Sequence, residues 1–264
     1  MPAFDFSPYS AVLLDFDGTL CHEEHVLPGA AELVARLQTA GIAYAVLSNT
    51  TSSPQSIGKQ LRRLGMSILD EYIYTASAAA ADCVMETFPG KPRVFNLATD
   101  GIAELLDAKV RWIESADEPC DAVICGAPAN RFAVLDRQRI ALELLRNGAE
   151  LVGICADRVY PSPRGLEIGV GGLAHMLSYA ANVPITFAGK PNKLFFDHLC
   201  QRLNVTADRC ILIGDNLESD VAGAAALGMK TILPLTGVTR SEDIDRLFPA
   251  RRPNWVVPDL RELL

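Results

Sequence analysis

Short apolar runs alternate with stretches of helical pattern along nearly the whole chain. AVLLDF (11–16) reads as a buried strand, and GAAELVARLQTA (about 29–40) as a helix stopped by Gly41. IAYAVLSN is a second strand reaching Asn49. A helix over about 54–64 follows, between an N-cap at Ser53 and a stop at Gly65. EYIYTA (71–76) is a third strand and SAAAADCVMETF the helix after it. The middle repeats the alternation: RVFNLA strand, GIAELLDA helix, DAVICGA strand, RFAVLDRQRIALELLRNG a longer helix, LVGICA strand. RVYPSPRGLEIGVGG, polar and rich in Pro and Gly, reads as a loop before the helix LAHMLSYAA. From about 185 the first pattern resumes, with PITFAGKP, a helix at about 192–203, the strand CILIGDN, the helix SDVAGAAALG and the strand KTILPLTG. Repeated strand–helix units predict an α/β fold, a doubly wound, mostly parallel sheet whose ligands gather at the carboxyl ends of the strands.

Composition narrows this little. The 264 residues exceed one typical domain, and 49% hydrophobic with 21% charged residues describes an ordinary globular protein. A net charge of −8 argues against nucleic acid and acidic membrane surfaces as partners. The seven cysteines are scattered, odd in number and without a C-x-x-C pair, which predicts free thiols in a reducing cytoplasm. MPAFDFSPYS lacks the basic start and apolar stretch of a signal peptide, and no apolar run approaches the roughly 18 residues of a membrane span.

The chemistry lies at four strand ends. Asp15 and Asp17, two apart on a strand, point the same way, and Gly18 and Thr19 follow them. Paired carboxylates suit a cation between them, or one attacking while the other moves a proton. The second strand ends in Ser48-Asn49-Thr50, the third motif is Gly189-Lys190-Pro191, and the fourth is ILIGDNLESD with Asp215, Asn216 and Asp220. A hydroxyl, an amide, a lysine and backbone N–H groups would hold phosphate oxygens, and the aspartates a hard divalent ion. Taken singly, each has a plain structural explanation: a turn at Gly18, caps at Ser48 and Asn49, a surface lysine, a helix-starting acid at Asp220.

Together, DFDGTL, SNT, GKP and GDNLESD resemble the haloacid dehalogenase superfamily of aspartyl-nucleophile phosphotransferases. The resemblance implies a Rossmann-like core and a Mg²⁺-dependent phosphatase of small phosphate monoesters. Asp15 would be the nucleophile and Asp17 the general acid and base. Ser48 and Lys190 would grip the phosphoryl group with Asn49, and Asp15, the Asp17 backbone carbonyl and Asp215 would hold the metal. Asp220 would orient Lys190 or the metal shell. An acid at position 17 favours phosphatases and mutases over ATPases and dehalogenases. A phosphomutase, or a phosphate-sensing protein on a retired core, is the alternative reading.

From Asp15 to Ser48 is 33 residues; from Ser48 to Lys190 is 142, far more than the core needs. An α/β cap is therefore expected at 78–185, with the core at 1–77 and 186–264. That type-2 cap, with LPGA, SNTTS, RNGAELVGICAD, GKPNKLFF and LTGVT, is similar to the NagD-like branch, subclass IIA. The cap motifs depart from that branch at 124–128, 155–157 and 168–171, so the leaving-group contacts are this chain's own. The glycine-rich run 165–172 reads as a cap loop facing the core site, and Asp157, Arg158, Tyr160 and Arg164 before it are the candidate substrate contacts. The resemblance also implies a homodimer through the cap. His22 and His25 in HEEH lack the H-E-x-x-H spacing and read as solvated flap residues; His175 and His198 read as structural or surface groups, and Cys21 as an inert thiol.

Overall fold

A computed structural model of the protein describes residues 3–98, 100–126, 134–162, 165–245 and 252–264. In chain order, β1 (Ala11–Asp15) leads to a small hairpin of β2 (Cys21–His22) and β3 (His25–Val26). There follow α1 (Ala30–Thr39), β4 (Tyr44–Ser48), α2 (Pro54–Arg63), β5 (Ile73–Thr75) and α3 (Ala76–Thr87). The middle comprises β6 (Arg93–Leu97), α4 (Asp100–Leu106), β7 (Arg111–Trp112), β8 (Ala122–Cys125), α5 (Val134–Arg146) and β9 (Glu150–Gly153). After it come a second hairpin, β10 (Val159–Ser162) with β11 (Gly165–Ile168), then α6 (Val170–Ala181) and β12 (Ile185–Phe187). The last part holds α7 (Lys193–Leu203), β13 (Cys210–Ile213), α8 (Gly223–Ala225), β14 (Lys230–Pro234), α9 (Ser241–Asp245) and β15 (Trp255–Val257).

The backbone packs as two compact units. One comprises Met1–Ser48, Pro54–Tyr74 and Lys190–Leu264; the other comprises Asn49–Ser53 and Thr75–Gly189. The first is built on a six-stranded sheet in the order β15-β14-β13-β1-β4-β5, in which β1, β4, β13, β14 and β15 pair in parallel. Strand β1 is buried on both faces. Val12 and Leu14 join Ile211, Ile213 and Ile232 against Leu33, Val34 and Leu37 of α1 and Ile57 and Leu61 of α2, while Ala11 and Leu13 are equally buried on the other side. That is why the strand reads as an unbroken apolar run rather than an alternating one.

The second unit carries a five-stranded parallel sheet, β12-β9-β8-β6-β7. Phe95, Leu97, Val123 and Leu151 of this sheet pack on Ala141, Leu144 and Leu145 of α5 and Ala174 and Leu177 of α6. The architecture is thus α/β, with parallel sheets and helices as the sequence predicts. Among the described residues, no helix is long and apolar enough to cross a membrane.

Two elements differ from the sequence reading. The Pro/Gly-rich stretch after Arg158 is not a plain loop but the antiparallel hairpin β10–β11, pairing Val159 with Ile168 and Tyr160 with Glu167. Its ends are clasped, since the Gly169 N–H donates to the Arg158 carbonyl (2.8 Å) and the Gly171 N–H to the Asp157 carbonyl (2.9 Å). The helix expected over 219–228 instead begins as a π-type turn, Leu217–Ala222, before the short α8. Asn216 accounts for this. Its Oδ1 accepts from the N–H groups of Glu218 (2.8 Å) and Ser219 (3.1 Å), and its carbonyl accepts from both Asp220 and Val221, widening the turn by a residue.

Candidate active site

The register of the first sheet brings the motif ends together. Asp15, last in β1, lies opposite Leu47 of β4, so Ser48 closes the neighbouring strand one residue further on. On the other side Leu14 pairs with Ile213, which places Gly214 and Asp215 just beyond the end of β13. Lys190 begins the segment that enters α7, a helix capped by Asn192, whose Oδ1 accepts from the Leu194 N–H. This is the carboxyl edge of a parallel sheet, where doubly wound folds bind their ligands.

The side chains meeting there are charged and buried. Lys190 is 2% exposed, and Asp15, Asp215 and Asp220 are 5%, 3% and 1% exposed. Lys190 Nζ donates to Asp15 Oδ1 (2.5 Å) and to Asp220 Oδ1 (2.7 Å). Asp15 Oδ2 accepts from the Thr19 hydroxyl at 3.3 Å. Ser48 is buried as well. The wide turn at 217–222 is what returns Asp220 to this point: its Oδ2 accepts from the Asn216 N–H (3.2 Å), and it packs so closely on Gly214 that a Cβ there would stand 2.5 Å from its carboxyl carbon.

Two more glycines wall in Asp215. A Cβ on Gly18 would lie 2.6 Å from Asp215 Oδ2, and one on Gly237 only 1.8 Å from it. Gly18 also has φ +84°, a left-handed conformation that glycine adopts without strain. The Val238 N–H donates to Asp215 Oδ2 (2.6 Å), and the Thr236 hydroxyl donates to the Gly18 carbonyl (2.6 Å). In the sequence, residues 236–238 stand within LTGVT and carry no assigned role. A Thr-Gly pair directly after a core strand was the available signal.

The electrostatics call for another positive charge. Burial raises Asp15 to about 7, with Lys190 pulling down and Asp215 and Asp17 pushing up. Burial, then Asp220, raises Asp215 to about 6; burial, then Asp15, raises Asp220 to about 7. Burial disfavours the charge on Lys190 too, yet the two carboxylates it touches outweigh that and hold its pKa above the usual lysine value. One buried ammonium cannot balance three buried carboxylates. Oxygens of Asp15, Asp215 and Asp220 lie within 4.8 Å of one another, an all-oxygen donor set that fits a hard divalent cation such as Mg²⁺. The sequence points to the Asp17 backbone carbonyl beside Asp15 and Asp215 as ligands; the group of buried carboxylates brings Asp220 to Asp15 and Asp215.

Asp17 stands apart as an exposed side chain. Atoms crowd its carboxyl closely enough for burial to raise its pKa, against Lys190 and His22. It is the aspartate of this set that solvent reaches. Cys21, next to it in the turn, is fully buried, and burial with Asp17 and Asp15 pushes its thiol up to about 12. It is therefore unreactive near neutral pH. His22 and His25 face each other across the β2–β3 hairpin and are exposed; among the described residues they join no group able to hold a metal.

The remaining candidates except Asn216 lie in the second unit. Asn49 Nδ2 donates to both carboxylate oxygens of Asp157, each at 3.2 Å. Arg158 and Tyr160 are exposed, and the Tyr160 hydroxyl donates to Glu167 Oε2 across the hairpin (3.1 Å). Arg164 lies outside the described residues. Asn216 is occupied in the turn at 217–222.

Comparison with known proteins agrees with this geometry. The family described as haloacid dehalogenase-like hydrolase matches residues 12–109, and a second, HAD-hydrolase-like, matches 187–263. The human haloacid dehalogenase-like hydrolase domain-containing protein 2 is 34% identical over 90% of this chain and 89% of its own length. The chain belongs to the haloacid dehalogenase-like hydrolase family. Among solved structures, p-nitrophenyl phosphatase from Archaeoglobus fulgidus superposes with a TM-score of 0.88 at 25% identity, covering 97% of this chain and 98% of that one. A glycerol phosphate phosphatase from Mycobacterium tuberculosis, in complex with magnesium, gives 0.87 at 26% identity, covering 99% of this chain and 78% of its own. The protein is an enzyme, a phosphatase of the haloacid dehalogenase type.

Proposed function

We propose that this enzyme hydrolyses small phosphate monoesters with Mg²⁺, through an aspartyl-phosphate formed on Asp15. The observation that carries the reading is the buried Asp15–Lys190–Asp220 arrangement at the sheet edge, with Asp215 beside it. Asp15 and Asp215, with the Asp17 backbone carbonyl, would hold Mg²⁺, which when bound offsets phosphate charge as a Lewis acid. Lys190 orients Asp15 and favours its ionised form, and with the Ser48 hydroxyl it binds the phosphoryl oxygens. An Asp15 carboxylate oxygen attacks phosphorus and the ester P–O bond breaks. The departing oxygen takes its proton from Asp17. Asp17, now ionised, removes a proton from the water that attacks the aspartyl-phosphate, freeing inorganic phosphate and restoring Asp15. Asp220 keeps Lys190 aimed throughout.

The substrates proposed are small esters of the kind the relatives are named for, p-nitrophenyl phosphate and glycerol phosphate, with sugar phosphates, nucleoside monophosphates and phosphoglycolate beside them. Residues 1–77 and 186–264 would carry the chemistry and 78–185 the choice of ester, with a cytoplasmic setting suited to seven free thiols and a homodimer formed through 78–185. The deciding experiment is phosphate release from p-nitrophenyl phosphate with Mg²⁺ by Asp15→Asn, folded by circular dichroism. We expect a fall of about 10³-fold or more. Turnover equal to that of the unaltered enzyme would sink the assignment.

A further inference from the structure

We infer that Asp157 is a positioning residue for the phosphate grip, acting through Asn49, rather than a contact for the leaving group. The inference deepens the proposed function and rests on it for the roles of Ser48 and Lys190. The chain first enters the second unit at Asn49, directly after Ser48, and last leaves it at Gly189, directly before Lys190. These two crossing points touch: a Cβ on Gly189 would stand 2.7 Å from Asn49 Oδ1 and 2.8 Å from the Ile154 carbonyl oxygen. The neighbours of the two phosphate-holding residues are therefore packed on each other, closely enough that only glycine fits.

Asp157 fixes the orientation of Asn49. Both its oxygens accept from Asn49 Nδ2, which turns the carboxylate toward that amide. Asp157 is itself held, because its carbonyl accepts from the Gly171 N–H at the start of α6, and Gly169 and Gly171 approach residues 156–158 too closely to carry side chains. The segment between, Asn49–Ser53, is fastened at two further places: Ser77 Oγ donates to the Thr51 carbonyl (2.6 Å), and Ser53 donates to Glu104. Asn49, peptide-bonded to Ser48, thus opens a five-residue segment held along its length, with its side chain aimed by a carboxylate. Positioning of a binding group by a fraction of an ångström alters its contribution severalfold or more.

The test uses Asp157→Ala, Asp157→Asn and Asn49→Ala in the full chain, with p-nitrophenyl phosphate, glycerol phosphate and inorganic phosphate as probes. A positioning role predicts that Asp157→Ala raises KM for both esters and Ki for inorganic phosphate by one common factor, about tenfold. Asp157→Asn, whose amide oxygen still accepts from Asn49, should recover most of it, and Asn49→Ala combined with Asp157→Ala should cost no more than either alone. KM changes that differ between the two esters, with Ki for phosphate unmoved, would make Asp157 a leaving-group contact and overturn the inference. So would a fall in kcat alone, or no change at all. If the unaltered enzyme turns over no ester, the proposed function fails separately, and inorganic phosphate affinity by calorimetry still decides the role of Asp157.

Discussion

At the scale of single residues, the site is defined as much by glycines as by acids. Gly237→Ala would drive a methyl group into Asp215 and Gly18→Ala would add a left-handed strain to a similar clash. Each is expected to lower kcat/KM by about 10²-fold or more, with loss of Mg²⁺ affinity as the measured cause. The protonation of the acids gives a second expectation. Asp15, Asp215 and Asp220 have pKa values raised to about 7, 6 and 7. A carboxyl raised above its unfolded value stabilises the metal-free fold fully below about pH 4, and that stability is lost as pH climbs through the folded value. A divalent ion must displace the same protons. The rise in Tm on adding Mg²⁺ should therefore be small at pH 5 and grow through pH 6–7 to a plateau near pH 8; a rise independent of pH would contradict it. Asp15, Asp215, Lys190 and Asp220 were legible in the sequence because each ends a strand or opens a segment next to an apolar run. Gly237 was not, since a glycine's closeness to a carboxylate depends on strands that are distant in sequence.

At the scale of elements, the apolar runs located the strands well, because a strand buried on both faces announces itself by composition alone. Two elements escaped for local reasons. The hairpin β10–β11 carries Pro161 and Gly165, which read as breakers, and its exposed face has no core to impose an alternation. The π-type turn escaped because small, apolar residues at 221–226 look helical, whereas the capping side chain of Asn216 governs the first turn. Asn216→Ala is expected to destabilise the protein by about 1 kcal/mol in urea unfolding, the usual worth of an N-cap. Because Asp220 then loses its turn, kcat should fall by a larger factor than that loss of stability implies.

At the scale of the whole molecule, substitutions should sort by unit. Changes in the hairpin, such as Tyr160→Ala, which removes the hydrogen bond to Glu167, are expected to shift kcat/KM between two esters by about three- to thirtyfold while leaving the Ki of inorganic phosphate alone. Changes at Lys190 should depress every ester alike. A panel of esters on both variants checks this. The strand order carries a consequence for how the protein is made. Strand β1 has β4 on one side, close in sequence, but β13 on the other, some 200 residues later. During vectorial synthesis this strand, buried on both faces, must wait, half-paired, while the entire contiguous stretch Thr75–Gly189 emerges and can fold ahead of it. Asp15 precedes by 205 residues the Asp220 that holds its lysine. The growing chain thus lacks the complete carboxylate–lysine group until β13 and the turn after it have emerged, and a ribosome that stalls before β13 releases a polypeptide with an open sheet edge.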